Sequence, residues 1–282
     1  MHNRTDEELF WRASMVPRVA RVPWRIVPKV AFLFLVRGDL PLRPLWEKFF
    51  VGHEGLYSIY VHASPAYTSL PPADSVFHGR MIPSQNTSWG DMNLVDAERR
   101  LVATALLDLA NARFTLLSES CVPLLSSPAV YAFLTGSNAS FVDSYVDGAR
   151  HAPFFTQRNV SLAQWRKGSQ WFEMDRAIAV EVVAKERFMA VFRGHHGVAN
   201  MEEHYLPTLT YAKWRAGAWH PVSYGGTVVT AELLEGMRRG NGECGYRGGG
   251  GAVEFCFMFA RKFSGDALGK LLELAPKVMG FG

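Results

Sequence analysis

Three cysteines in 282 residues, with no Cys-x-x-Cys, exclude a disulfide framework, a zinc ribbon and a thioredoxin-like site. The chain also lacks GxxxxGK[ST], a GxGxxG after a strand, HExxH and GxSxG. These absences remove the phosphate loop, the dinucleotide fingerprint, the zinc-protease helix and the serine-hydrolase elbow. No Asp-x-Asp occurs either. A bound diphosphate would then have its charge met by Arg and Lys rather than by a carboxylate-held cation, so neither a metal nor another cofactor is expected. No run of about 18 apolar residues is present, which excludes an encoded membrane span. The apolar run Val30–Val36 is short and is closed by Arg37. Residues 1–28 are mixed and charged, without the basic-then-apolar order of a signal peptide. They read as a stem or linker, with the basic stretch Arg12–Lys29 spaced by Pro17, Pro23 and Pro28. Membrane association is therefore expected only through an anchor absent from this sequence. Excess charge is lacking too: Lys+Arg 30 against Asp+Glu 26 leaves a net +4 with no dense basic stripe, so no nucleic-acid partner is expected.

The hydrophobic fraction of 48% and the aromatic fraction of 13% supply a substantial core for one large domain, read here as residues 29–282. Strand-length apolar runs at Lys29–Val36, Leu56–His62 and Phe114–Leu117 alternate with helical spacing at Pro41–Phe50 and Asp96–Ala112. Further on, the pattern gives a helix at Pro128–Leu134, a strand at Ser140–Tyr145, one long helix at Asp175–Phe192, a strand at Ala252–Phe259 and a closing helix. Apolar strands separated by helices specify an α/β fold whose central sheet is covered on both faces. Ligands of such sheets bind beyond the carboxyl ends of the strands. That directs attention to Arg37–Asp39, His62–Pro65 and Ser118–Pro123.

Asn3, Asn86, Asn138 and Asn159 each begin an Asn-x-Ser/Thr acceptor tripeptide. Cys244 and Cys256 flank a Gly-rich turn and are candidates for a disulfide. Both features point to the secretory lumen.

Six blocks carry a resemblance: FLFLVRGDLPLRPLWEKFFVGHEGLYSIYVHASP, LLSESCVPL, LAQWRKGSQWFEMDR, EEHYLPTL, FCFMFARKF and LAPKVMGF. Together the sequence resembles the plant branch of the core-2/I-branching β-1,6-N-acetylglucosaminyltransferase-like proteins over roughly residues 5–281. The resemblance implies a GT-A-like single domain with a Rossmann-like, mostly parallel central sheet flanked by helices. It implies a Golgi membrane protein with a lumenal domain. The implied chemistry is inverting, metal-independent transfer of a sugar, N-acetylglucosamine by the family name, from a UDP-sugar to a glycan or glycoprotein acceptor.

Carried over by motif, Glu203 is the catalytic base, because inverting transfer needs one carboxylate to take the acceptor proton. Glu202 stands where the family has Asp. Lys262, with Arg261 beside it, matches the diphosphate-binding cation, and Arg238 or Arg239 is the nearest second one. Val36, Arg37 and His62 fall on the donor side, with Ser64 where animal enzymes have an Asp. Ser88-Trp89 and Ser118-Glu119 resemble further donor elements. Trp171, Trp214 and His220 resemble the acceptor side, and Trp165 is an alternative stacking platform. Two rivals remain at this point: a glucuronosyl- or xylosyltransferase of cell-wall glycans, and a non-catalytic carbohydrate-binding relative. An enzyme requires Glu203 and Lys262 to share a cleft.

Overall fold

The computed structural model describes residues 4–15, 25–194, 198–210, 223–240 and 255–282. Its strands are β1 (Lys29–Leu35), β2 (Tyr57–His62), β3 (Asn111–Ser118), β4 (Val122–Pro123), β5 (Phe141–Val142), β6 (Phe172–Asp175) and β7 (Phe259–Ala260). Its α-helices are α1 (Asp6–Ser14), α2 (Arg43–Phe50), α3 (Met92–Leu106), α4 (Ser127–Gly136), α5 (Pro153–Thr156), α6 (Arg176–Ala184), α7 (Glu186–Arg193), α8 (Glu202–Thr210), α9 (Ala231–Arg239) and α10 (Leu268–Leu274).

The central sheet has five strands in the order β2-β1-β3-β6-β5. β2, β1 and β3 are parallel, and β6 runs against both of its neighbours, β3 and β5. It is therefore a mostly parallel GT-A-like sheet in which β6 alone is reversed. β4 and β7 form a separate antiparallel pair.

The run KVAFLFL is apolar throughout because β1 is buried on both faces. Successive side chains of a strand point to opposite sides. Val30, Phe32 and Phe34 enter one core with α2 and α10, while Ala31, Leu33 and Leu35 enter the other with α3 and α6. The first core is aromatic: Trp46 of α2 meets Phe34 edge-on at 5.1 Å, and Phe50 meets Phe32 at 4.9 Å. The register pairs Leu35 with both His62 and Ser118. The parallel strands β1, β2 and β3 therefore end at one edge of the sheet, and the loops after them emerge together.

Three differences from the sequence reading have local causes. The expected helix over 96–112 runs from Met92 to Leu106 instead. It stops early because the Asp108 carboxylate accepts from the Ala110 N–H, making a turn that lets β3 start at Asn111. The long helix expected over 175–192 is broken at Lys185, whose φ of −85° and ψ of 56° are not helical. The third difference lies within the presumed stem. Residues 6–14 form α1, capped by the Thr5 hydroxyl, with Leu9 and Ala13 fully buried. This helix packs on α3 and α6. Its Asp6 pairs with the buried Arg100, and Phe10 carries the Arg99 guanidinium 4.5 Å above its ring. Residues 6–14 are thus part of the domain. Residues 252–254 of the expected last strand lie outside the described residues, and β7 follows at Phe259–Ala260.

Breaking a pair that leaves a guanidinium buried is costly. Asp6 keeps 34% of its side chain exposed, which moderates the effect. We expect Asp6→Ala to lower stability by about 2 kcal/mol in urea denaturation. Arg100 holds the Asp6 carboxyl below its ordinary value of 3.8 despite the opposing effect of burial. The contribution of the pair is therefore present above that value and lost as pH falls below it.

Candidate functional site

Loops from the shared strand edge meet the start of α8 and the segment after β7. Val36 continues β1, its N–H donating to the His62 carbonyl at 2.9 Å. Arg37, almost fully exposed, reaches across to Glu119, Nε to Oε1 2.9 Å. The Ser118–Cys121 turn closes on itself: the Ser118 and Ser120 hydroxyls lie 2.9 Å apart, and the Ser118 N–H donates to Cys121 Sγ at 3.3 Å. Burial pushes the Cys121 thiol upward, so a neutral thiol sits under this turn. The segment after β7 lies along the same turn, with the Phe263 N–H donating to the Ser120 carbonyl at 2.9 Å. That contact and the β4–β7 pairing bring Arg261 and Lys262 against Glu119 and Ser120.

Arg261 is the centre of this arrangement. Its guanidinium lies 4.4 Å from the Trp171 ring centroid, a cation–π contact. Burial pulls its pKa below the ordinary value, and Cys121, Glu203 and Glu119 oppose that shift. The Glu203 carboxylate is thus within electrostatic reach of the cation next to Lys262. Lys262 is half-buried and makes no ion pair among the described residues. Its carbonyl accepts from the Tyr224 N–H at 2.7 Å.

Glu203 sits in the first turn of α8, where the helix dipole favours an acid. Lys167 Nζ is 3.2 Å from its Oε2, an ionic contact without hydrogen-bond alignment. Burial would lower Lys167, but Glu203 and Tyr145 raise it above the ordinary lysine value. The Glu203 backbone is fixed by the Gly168 N–H, which donates to its carbonyl at 2.8 Å. Gly168 is required here: a Cβ would overlap the Asp143 carbonyl and lie 2.9 Å from Pro207 Cγ. Asp143 in turn accepts from the Ser169 N–H at 3.0 Å.

Of the remaining sequence candidates, His62 is buried and turned into the fold. Its Nε2 accepts from the Gln85 N–H at 3.2 Å and lies 3.4 Å from Arg100. Burial and then Arg100 push it down to about 4, so it is a neutral imidazole. Ser64 closes a local turn, its Oγ accepting from the Ala66 N–H at 3.3 Å. The Ser88 N–H donates to Asn93 Oδ1 at 2.8 Å, and Trp89 beside it is 73% exposed. Arg238 donates to the Val278 carbonyl at 2.8 Å, and Arg239 pairs with Glu235 on its own helix. Neither contact joins them to the Arg261 group. Trp165 is fully buried and stacked on His204 at 4.7 Å, which removes it as a sugar platform. Trp171 stays half-exposed. Asn86, Asn138 and Asn159 are exposed. Trp214, His220, Cys244 and Asn3 lie outside the described residues. Among the described residues no group of three or more His, Cys, Asp or Glu is placed to hold a metal ion. No helix among them is long and apolar enough to cross a membrane.

Sequence reasoning did not assign roles to Lys167 or Asp143. Lys167 stands beside Gly168 in a block whose small residue signalled a tight approach, but nothing in one sequence shows which acid it meets.

A family model described as Core-2/I-Branching enzyme matches residues 30–238. The chain is also 31% identical to "Glycosyltransferase BC10" of Oryza sativa subsp. japonica over 307 aligned residues, spanning 88% of this chain and 76% of that protein.

Gly168→Ala tests the seat of Glu203. Overpacking of this kind costs about 1–3 kcal/mol or more. We expect a melting temperature lower by at least about 3 °C, read by thermal unfolding.

Proposed function

The chain belongs to the Core-2/I-branching enzyme family and is a glycosyltransferase, and from that premise we propose that it moves a sugar from a UDP-sugar to a glycan hydroxyl, with inversion and without a metal. One observation carries this reading. The guanidinium of Arg261, beside Lys262 and stacked on Trp171, lies within electrostatic reach of Glu203. An acid and a guanidinium are thus close enough to feel one another near the loop after β3, with Lys262 next to Arg261 in the chain.

In the proposed step, the Glu203 carboxylate takes the proton of the acceptor hydroxyl. The hydroxyl oxygen attacks the anomeric carbon from the face opposite the nucleotide. A new C–O bond forms as the bond to the β-phosphate oxygen breaks, and the electron pair leaves with UDP. Arg261 and Lys262 meet the charge developing on that diphosphate, the role a preorganised cation plays in a transition state. Lys167 holds the Glu203 carboxylate in place until the acceptor arrives. Arg37, Glu119 and Ser118, at the mouth of the same edge, are suited to sugar and ribose hydroxyls. A lumenal Golgi location is supported by the exposed acceptor asparagines Asn86, Asn138 and Asn159.

The reaction is tested by screening UDP-sugars, N-acetylglucosamine first and then xylose and glucuronic acid, against cell-wall acceptors. Glu203→Gln should lower kcat by about 10²–10⁴-fold while UDP affinity changes little. Equal loss of both would remove Glu203 as the base. Lys262→Ala should weaken UDP binding, and added manganese should not restore it. Glycan binding without transfer of any sugar would favour a non-catalytic relative. For the protein produced in plant secretory cells, peptide-N-glycosidase treatment should increase electrophoretic mobility. No change would contradict the lumenal placement.

A further inference from the structure

Beneath Glu203 lies a pair of acids that the step above does not use. Glu202, the first residue of α8, is 2% exposed, and Glu98 in the middle of α3 is 4% exposed. Gln170 Nε2 donates to Glu98 Oε1 at 2.7 Å, while Glu202 Oε2 is buried without a hydrogen-bond partner. Such a carboxylate is costly unless it is paired or neutral.

Among the described residues, no cation forms an ion pair with either of them. On α3, Arg99 is directed to the Val182 and Val183 carbonyls and to Glu186, and Arg100 to Asp6 beside His62. On α6, Arg176 donates to the carbonyls of Leu106, Asp108 and Asn111. On α7, Arg193 pairs with Asp96. Lys185, between α6 and α7, pairs with Glu181. Lys167 faces Glu203, and Asp143 behind β5 adds a further acid beside it. His204, in the same first turn of α8, directs Nδ1 to the Arg166 carbonyl. The charges that act on Glu202 itself are acidic, Glu203 and Asp91; the backbone N–H groups of Glu202 and Gly90 act the other way, but burial outweighs them.

We propose that Glu98 and Glu202 are kept as neutral carboxylic acids and act as positioning residues, seating the first turn of α8 from which Glu203 projects. This rests on Glu203 as the base, but its primary readout does not depend on transfer. Burial raises both acids; Glu202 reaches about 7, and Glu98 stands well above its ordinary value with Glu202 contributing. The fold therefore holds these protons more tightly than the unfolded chain does. The stability they give is complete below the unfolded value near 4.5 and declines as pH rises towards about 7.

Glu202→Gln and Glu98→Gln in the full chain test this, because an amide keeps a donor and an acceptor without a titrating proton. Melting temperatures should equal that of the unmodified protein at pH 5 and exceed it by about 3 °C or more at pH 8. The alkaline fall of kcat should move to higher pH in Glu202→Gln, with the change on kcat rather than on donor KM. An unaltered dependence of melting temperature on pH in both variants would overturn the proposal. So would failure of both to fold at pH 5, since that would mean an ionised acid is needed. A melting gain with an unmoved kcat profile would overturn the positioning role. Loss of the Glu203 assignment would show instead as full transfer by Glu203→Gln, and would leave the melting result as it stands.

Discussion

Gly168 lacks a Cβ, and on that the geometry of the site depends. Its N–H reaches the Glu203 carbonyl while its Cα lies against the Asp143 peptide and the Pro207 ring. This backbone contact ties the segment between β5 and β6 to the start of α8, alongside side-chain bonds from Ser144 to the Pro207 carbonyl and from Thr208 to the Arg166 carbonyl. Residues next to Gly168 then fall into place on either side. Lys167 comes to the Glu203 carboxylate, and Ser169 donates its N–H to Asp143. A helix start held only by its dipole and by solvated charge would not place one carboxylate so narrowly.

The second constraint is electrostatic. Cations and acids are drawn from distant parts of the chain to the edge where β1, β2 and β3 end. Arg261 comes from near the carboxyl terminus, Glu119 from the loop after β3 and Glu203 from α8. Arg261 is partly buried there and stacks on Trp171, a weakly hydrated guanidinium on an aromatic face. Behind this mixed surface two acids are buried, Glu98 of α3 and Glu202 of α8. Two acids in adjacent positions thus have different surroundings: Glu203 is partly open and paired with Lys167, whereas Glu202 is closed off, with its Oε2 lacking a hydrogen-bond partner.

The sheet was legible because its signal is local. KVAFLFL can be buried on both faces only as a central strand, and β3 repeats that pattern, whereas the alternating FEMD of β6 gave no such signal. Helix ends were less legible, since Asp108 ends α3 through a side-chain bond that hydropathy does not register. α1 was missed because its apolar face is only Leu9 and Ala13; Asp6 and Phe10 dock it through two arginines of α3. At the site, the block resemblance pointed to Glu203, Arg261 and Lys262 as candidates, but not to the partners the fold gives them. His62 shows the limit of that approach. The position matches a donor element, yet the ring is turned towards Arg100 and Gln85 because β2 is buried on that side. Lys167, Asp143 and Glu98 are separated from Glu203 by 36, 60 and 105 positions, and only the fold shows that they share its surroundings.

Crystals of the protein grown with UDP would examine the central claim most directly. The account predicts electron density for the diphosphate within hydrogen-bonding distance of Arg261 or Lys262, with the Glu203 carboxylate facing the same space. Nucleotide bound away from these cations, or separated from Glu203 by the protein core, would contradict it.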